Sequence, residues 1–188
     1  MKKLPILESA SSPRVTLRPA TLEDIEDLRV WKNANKQWFF FKGDITVGQQ
    51  QEWFKGYLSR DDEALFIVEH EGVKAGTLGV RFPDAERADI FNVIAAPGMA
   101  GKGLMKAALT MLCTHVAAKK TKNIGCLVLK GNPAAKFYES CGFKKTEEEK
   151  IHDIFALDAA AFKPVEYTAT LLPVGVSNDT QTKPEKGS

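Results

Sequence analysis

Gly98, Gly101 and Gly103 stand within six positions of the stretch PGMAGKGLMKAAL (residues 97–109), directly ahead of residues that read as a helix. Glycines feeding a helix N-terminus leave backbone N–H groups unpaired at the positive end of the helix dipole, which suits a phosphate or pyrophosphate. Strand-to-helix turns also carry glycines for steric reasons alone, so on this stretch by itself both readings stay open. Two phosphate-binding loops are excluded. No Gly-Lys-Ser/Thr closes the stretch, so it is not a Walker loop. The spacing also differs from the dinucleotide fingerprint, and no acidic residue ends the next strand.

Other chemistry is thin. Cys113, Cys126 and Cys141 lie far apart and are odd in number, which is neither a disulfide framework nor a zinc spacing. His70, His115 and His152 are equally dispersed, so no metal site is expected. The formal charge is only +2 and the basic residues are scattered, without the basic stripe of a nucleic-acid binder. The start, MKKLPILESA, is too short an apolar run, broken by Pro5 and Glu8, for a signal peptide. No segment approaches the ~20 apolar residues of a bilayer span. The expectation is a cytoplasmic protein without nucleic-acid or membrane partners, as a monomer or homodimer.

The elements that must position the loop are legible from periodicity. RVTLRP alternates as a strand, and Thr21 with Glu23 and Asp24 opens a helix reaching about Asn33. Thr46 and Gln49 make a capping box for a second helix, with Trp53, Phe54 and Tyr57 on its buried side. ALFIVEH, KAGTLGVRF and ADIFNVIAA follow as strands joined by tight breaks, hence antiparallel. The glycine loop then leads into a helix over residues 104 to about 119, with Leu104, Ala108, Leu112 and Val116 on one face. IGCLVL is a buried strand that a right-handed crossover makes parallel to the strand before the helix. Asn132 and Pro133 start a short helix closed by Gly142, and FKKTEEE and VEYTATLL complete the sheet. The fold class is α/β, one domain over residues 1–173. A mixed, mostly antiparallel sheet of about six to seven strands is flanked by about four helices. Residues 174–188 are polar and are expected to form a disordered tail.

With YESCGF about 35 residues beyond the loop, the chain resembles the GNAT superfamily of acyl-CoA-dependent N-acyltransferases. The loop motif falls on Ala100, Gly101, Lys102, Gly103, Leu104 and Met105, with Gly103 its strict match. Ala100 and Met105 depart from the family pattern, which leaves backbone contacts to the pyrophosphate and removes side-chain ones. The second motif runs from Asn132 to Phe137, Tyr138, Gly142 and Phe143. The resemblance implies acetyl-CoA as cosubstrate, no metal, and a cleft where DIFNVIAA and IGCLVLK splay apart. It places main-chain groups of Val93, Ile94 and Ala95 on the pantetheine, with Asn132 and Phe137 beside it. Tyr138 becomes the general acid for the departing thiolate. Asp89 becomes a base acting on the amine through water, or only the cap of a solvated turn.

The acceptor, by the same resemblance, is set by the segment WKNANKQWFFFKGDITVGQQQEWF (residues 31–54), which holds all three tryptophans. It is similar to the branch that acetylates amino groups of nucleotide-linked amino sugars. That likeness would place Trp31, Lys32, Asn33, Lys36, Trp38 and Phe39 around the acceptor. A protein N-terminus, a polyamine or an antibiotic amine are the alternative acceptors. A non-catalytic sensor that binds acyl-CoA is the alternative of another kind.

Overall fold

The computed structural model describes residues 4–171. The strands are β1 (Pro5–Ser9), β2 (Thr16–Pro19), β3 (Glu63–His70), β4 (Val73–Arg81), β5 (Ala88–Ala95), β6 (Ile124–Leu129), β7 (Phe143–Glu148), β8 (His152–Leu157) and β9 (Tyr167–Leu171). The helices are α1 (Ile25–Ala34), α2 (Val47–Ser59), α3 (Leu104–Lys119) and α4 (Ala134–Ser140), with 3-10 turns at Leu22–Asp24 and Lys36–Trp38. All nine strands join one sheet in the order β7-β8-β6-β5-β4-β3-β2-β1-β9. The proposed tail at residues 174–188 lies outside the described residues.

The central strands carry long apolar runs because both of their faces are covered. In β3, Ala64, Phe66 and Val68 join one core cluster, under α3, while Leu65 and Ile67 join the other, under α1 and α2. Side chains alternate across a strand, so a strand sandwiched between helix layers has no polar face to show. The α3 face expected from spacing is buried as Leu104, Ala108, Leu112 and Val116, together with Met105 and Leu109. Thr46 and Gln49 close their capping box: the Gln49 backbone N–H donates to Thr46 Oγ1 at 3.3 Å and the Thr46 N–H to Gln49 Oε1 at 2.9 Å. The first helix is anchored differently. Its upstream carboxylate Asp24 is fully buried and accepts from Arg18 at 2.6 and 2.8 Å, from Thr21 N–H at 2.9 Å, and pairs with Lys74 at 2.8 Å.

The strand count exceeds the expected six to seven. PILES forms β1, with Pro5 at its first position, where no ladder donor is needed. HDIFAL forms β8, which inserts between β6 and β7. Both are short and weakly alternating, and pairing with neighbours on each side makes strands of them. β9 completes the sheet at the far edge, beside β1, after the chain crosses from β8.

Two irregularities in β5 break the regularity of the sheet at its centre. The parallel pairing with β6 covers only Ala88–Ile124 and Asp89–Gly125, after which the strands diverge. Against β4, the register slips between Thr77 and Gly79, and Asn92 sits at that bulge with φ of 50°. Asparagine tolerates this left-handed conformation better than most residues. Among the described residues, no helix is long and apolar enough to cross a membrane.

Candidate active site

The divergence of β5 and β6 opens a cleft of about 690 Å³. Its walls are β5 from Asp89 to Ala95, β6 from Leu127 to Leu129, the start of α4, and the segment after α1. Beyond Asp89 the β5 edge facing β6 has no ladder partner. Backbone N–H and C=O groups must pair, so such an edge is a binding surface for an extended polar arm.

At one end lies the glycine loop. Gly101 and Gly103 hold φ of 78° and 76°, and Gly103 is the N-cap of α3. No described side chain caps α3, so its first-turn N–H groups stand without a side-chain acceptor at the positive end of a long helix. An added Cβ would meet nothing within 4 Å at Gly101, and at Gly103 only Pro13 Cγ at 3.9 Å. These glycines therefore answer a conformational demand and leave open space above the loop, a geometry compatible with both readings left open by sequence. The loop's backbone fits a pyrophosphate. Ala100 lines the cleft, whereas Leu104 and Met105 turn their side chains into the core. Lys102 is exposed.

Tyr138 projects from α4 onto the cleft wall and is only 8% exposed. Its ring meets Phe137 and Phe143 edge-on, at centroid distances of 5.4 and 5.7 Å. No described residue hydrogen-bonds its hydroxyl. Burial, reinforced by the nearby Cys126, Cys141 and Cys113 thiols, pushes the phenol well above the ordinary tyrosine value, so it stays protonated. Asn132 also lines the cleft, and its Oδ1 accepts from Ala134 N–H at 2.9 Å, starting α4. Phe137 packs partly against the core instead of lining the cleft. Asp89 sits at the base of the splay, held by Arg87 Nε at 2.8 Å. It is the one carboxylate on the cleft wall among the described residues.

The acceptor segment divides. Lys32, Trp38 and Phe39 reach the cleft. Trp31 does not: at 5% exposure it belongs to the core under α1 and α2, because it falls on the buried stripe with Leu28. Asn33 is spent bracing the chain, donating to Ile45 C=O at 3.0 Å and accepting Ile45 N–H at 2.8 Å. Lys36 is paired with Asp44 at 2.7 Å. The Lys32 ammonium lies 3.2 Å from Asn92 Oδ1 and 5.1 Å from the Phe39 ring centre, and no described carboxylate pairs with it. Burial and neighbouring Arg81 pull its pKa below the ordinary lysine value. Sequence reasoning missed Asn92, Arg81 and Asn35 on this wall. Asn92 had a signal, a polar residue interrupting the apolar run DIFNVI.

A splayed parallel pair beside an uncapped, glycine-fed helix can hold a phosphorylated thioester arm and leave its carbonyl beside Tyr138. Comparison with known proteins agrees with this geometry. Residues 14–144 match the sequence profile of the acetyltransferase (GNAT) domain. No curated protein matches the chain at the level of sequence. Solved structures do, through the fold. An uncharacterized protein from Bacillus halodurans superposes with a TM-score of 0.74 at 18% identity, covering 86% of this chain and 94% of its own. FdhC, described as a nucleotide-linked sugar GNAT, gives 0.67 at 15% identity, over 85% of this chain and 92% of its own. Spermidine N-acetyltransferase from Vibrio cholerae, in complex with CoA and spermine, gives 0.64 at 20% identity, over 83% and 95%. At these identities the likeness carries the fold alone. The profile match, spanning most of the chain, carries more: this protein belongs to the GNAT acetyltransferase family, whose enzymes take an acetyl group from acetyl-CoA.

Proposed function

We propose that this chain transfers the acetyl group of acetyl-CoA directly to the amine of an anionic acceptor, with a nucleotide-linked amino sugar as the best-fitting class. The observation that carries this reading is Lys32, a largely buried cation at the acceptor end of the cleft with no described carboxylate beside it. Arg81, on the same wall, is already paired with Glu63 at 2.8 Å. A polycationic acceptor would meet an unneutralised ammonium there, whereas a phosphate would relieve it. Trp38 and Phe39 add aromatic faces suited to a sugar or base.

The roles follow from position. Backbone N–H groups from Gly101 to Met105 hold the pyrophosphate, with Ala100 and Lys102 at the edge of that cradle. Main-chain groups of Val93 and Ala95 on the open edge hold the arm, Asn132 borders it, and an N–H on this edge faces the carbonyl oxygen as charge develops there, while Ile94, opposite Thr77, turns its backbone toward β4. Asp89 takes the ammonium proton through water, and Tyr138, kept neutral by burial, gives its proton to the departing thiolate.

An acceptor panel with acetyl-CoA, followed by release of free thiol, tests the reading. Turnover is expected with UDP-linked amino sugars. Turnover confined to spermidine, or to peptides with free N-termini, overturns the acceptor class. Binding of acetyl-CoA without turnover on any amine favours the non-catalytic alternative.

A further inference from the structure

Beside the main cleft lies a second cavity of about 280 Å³, between α1, α2 and the β3–β5 floor. The two share Lys32, Phe41, Trp53, Asn92 and Ile94, so the smaller is a side chamber of the acceptor end. Its deeper walls are apolar, with Leu28, Ile45 and Leu65 alongside Trp53. One group there does not belong to an apolar chamber. Gln50, on α2, is 5% exposed and lines it, yet its carboxamide makes no hydrogen bond to any described residue. The other buried polar group on the wall, Thr77, is satisfied: its hydroxyl donates to Phe66 C=O at 2.9 Å.

Buried polar groups are paired in nearly all folded proteins, and an exception aimed into a chamber asks for a ligand or water. The chamber is nearly twice the ~150 Å³ of a cavity that admits benzene, so it can take a substituted ring or a branched acyl group. A carboxamide offers a donor beside an acceptor, and its best neutral complement is another N–H beside C=O. Apart from Lys32 at the junction, no ionisable side chain among the described residues lines the chamber. We infer that Gln50 is a specificity-determining residue: the side chamber receives a neutral, mostly apolar limb of the acceptor that presents an amide edge, and Gln50 reads that edge. This rests on the acceptor reading above. A pyrimidine-dione base and an N-acyl substituent carry the same edge.

Calorimetric titration of the full chain tests this without turnover, using UDP and N-acetylglucosamine 1-phosphate as probes for the two sources. The wild type is expected to bind at least one of them. Gln50→Met, which keeps length and volume, is expected to weaken that probe about tenfold, the worth of one net hydrogen bond. The acetyl-CoA Kd should stay within twofold. The melting temperature of the variant should hold or rise, because an unpartnered buried amide has been removed. The probe that responds identifies the limb, base or acyl group. Failure of the wild type to bind either probe overturns the inference, as does equal binding by Gln50→Met. A variant that melts several degrees lower with unchanged probe affinity makes Gln50 structural and also overturns it. Because the readout is binding, a chain that binds a probe through Gln50 yet acetylates only polyamines separates this inference from the failure of the acceptor reading.

Discussion

Replacing Tyr138 with Phe isolates one oxygen atom. The ring remains packed against Phe137, Phe143 and Phe155, since the contacts holding it are edge-on and tilted aromatic ones. The hydroxyl has no described hydrogen-bond partner, so its removal breaks no internal bond. Stability should therefore change by less than about 0.5 kcal/mol, or a degree or two in melting temperature for a domain of this size. The chemical effect is separate. General acid catalysis contributes about 10²–10⁴ in rate, and a thiolate leaves more readily than an amine or alkoxide. The lower end applies, about a hundredfold in kcat, equivalent to ~2.7 kcal/mol of barrier. Steady-state thiol release with a saturating amine, against acetyl-CoA concentration, separates kcat from KM. The expectation is a hundredfold loss in kcat with the acetyl-CoA KM within twofold. In the wild type, burial holds the phenol protonated beyond the ordinary tyrosine range, so its ionisation should not limit kcat below about pH 10. A kcat within threefold of wild type would refute the assignment, and so would a loss that tracks a lowered melting temperature.

Three further outcomes are expected. Gly103→Ala forces a side chain into the left-handed region at φ of 76°. It should cost about 1 kcal/mol, lower the melting temperature by a few degrees, and raise the acetyl-CoA KM while leaving the acceptor KM alone. Lys32→Met should raise the KM of an anionic acceptor about tenfold and leave acetyl-CoA untouched, so an unchanged acceptor KM would remove the basis for the anionic class. Asp24→Asn should destabilise the fold by roughly 3 kcal/mol in urea unfolding, because it strips a charge from a buried pair. Burial alone would raise the Asp24 carboxyl, but hydrogen bonds from Arg18, Lys74 and Thr21 outweigh it and hold it well below the usual carboxylate range. The unfolded chain therefore binds the proton more readily, and this stabilisation is present above about pH 4 and is lost progressively as pH falls below it. The Asp24→Asn variant should lack that part of the acid-side decline, which unfolding curves between pH 5 and pH 2 would reveal.

Local demands were legible in the sequence by itself. The capping pair Thr46 and Gln49, the apolar stripe of α3, the tight hairpins of β3 to β5 and the Asn132–Pro133 start of α4 each depend on a few neighbouring residues. So does the glycine loop, whose left-handed backbone at Gly101 and Gly103 is a property of the chain within one turn. Together these elements and their order identified the family, and with it acetyl-CoA.

Tertiary structure decided what depends on distant partners. Nothing local in PILES or HDIFAL distinguishes a strand from a loop, and long-range ladders made β1 and β8. The aromatic and basic segment after residue 30 could not be sorted from sequence, because rings and lysines of the same type received different neighbours. Trp31 met the core, Asn33 met Ile45, and Lys36 met Asp44, while Lys32, Trp38 and Phe39 met the cleft. The open edge of β5 likewise exists only because Asp89 and Gly125 are the last pair before two strands part. Backbone conformation is set within a few residues, but which groups a side chain can reach is set by chain packed against it from far away in sequence.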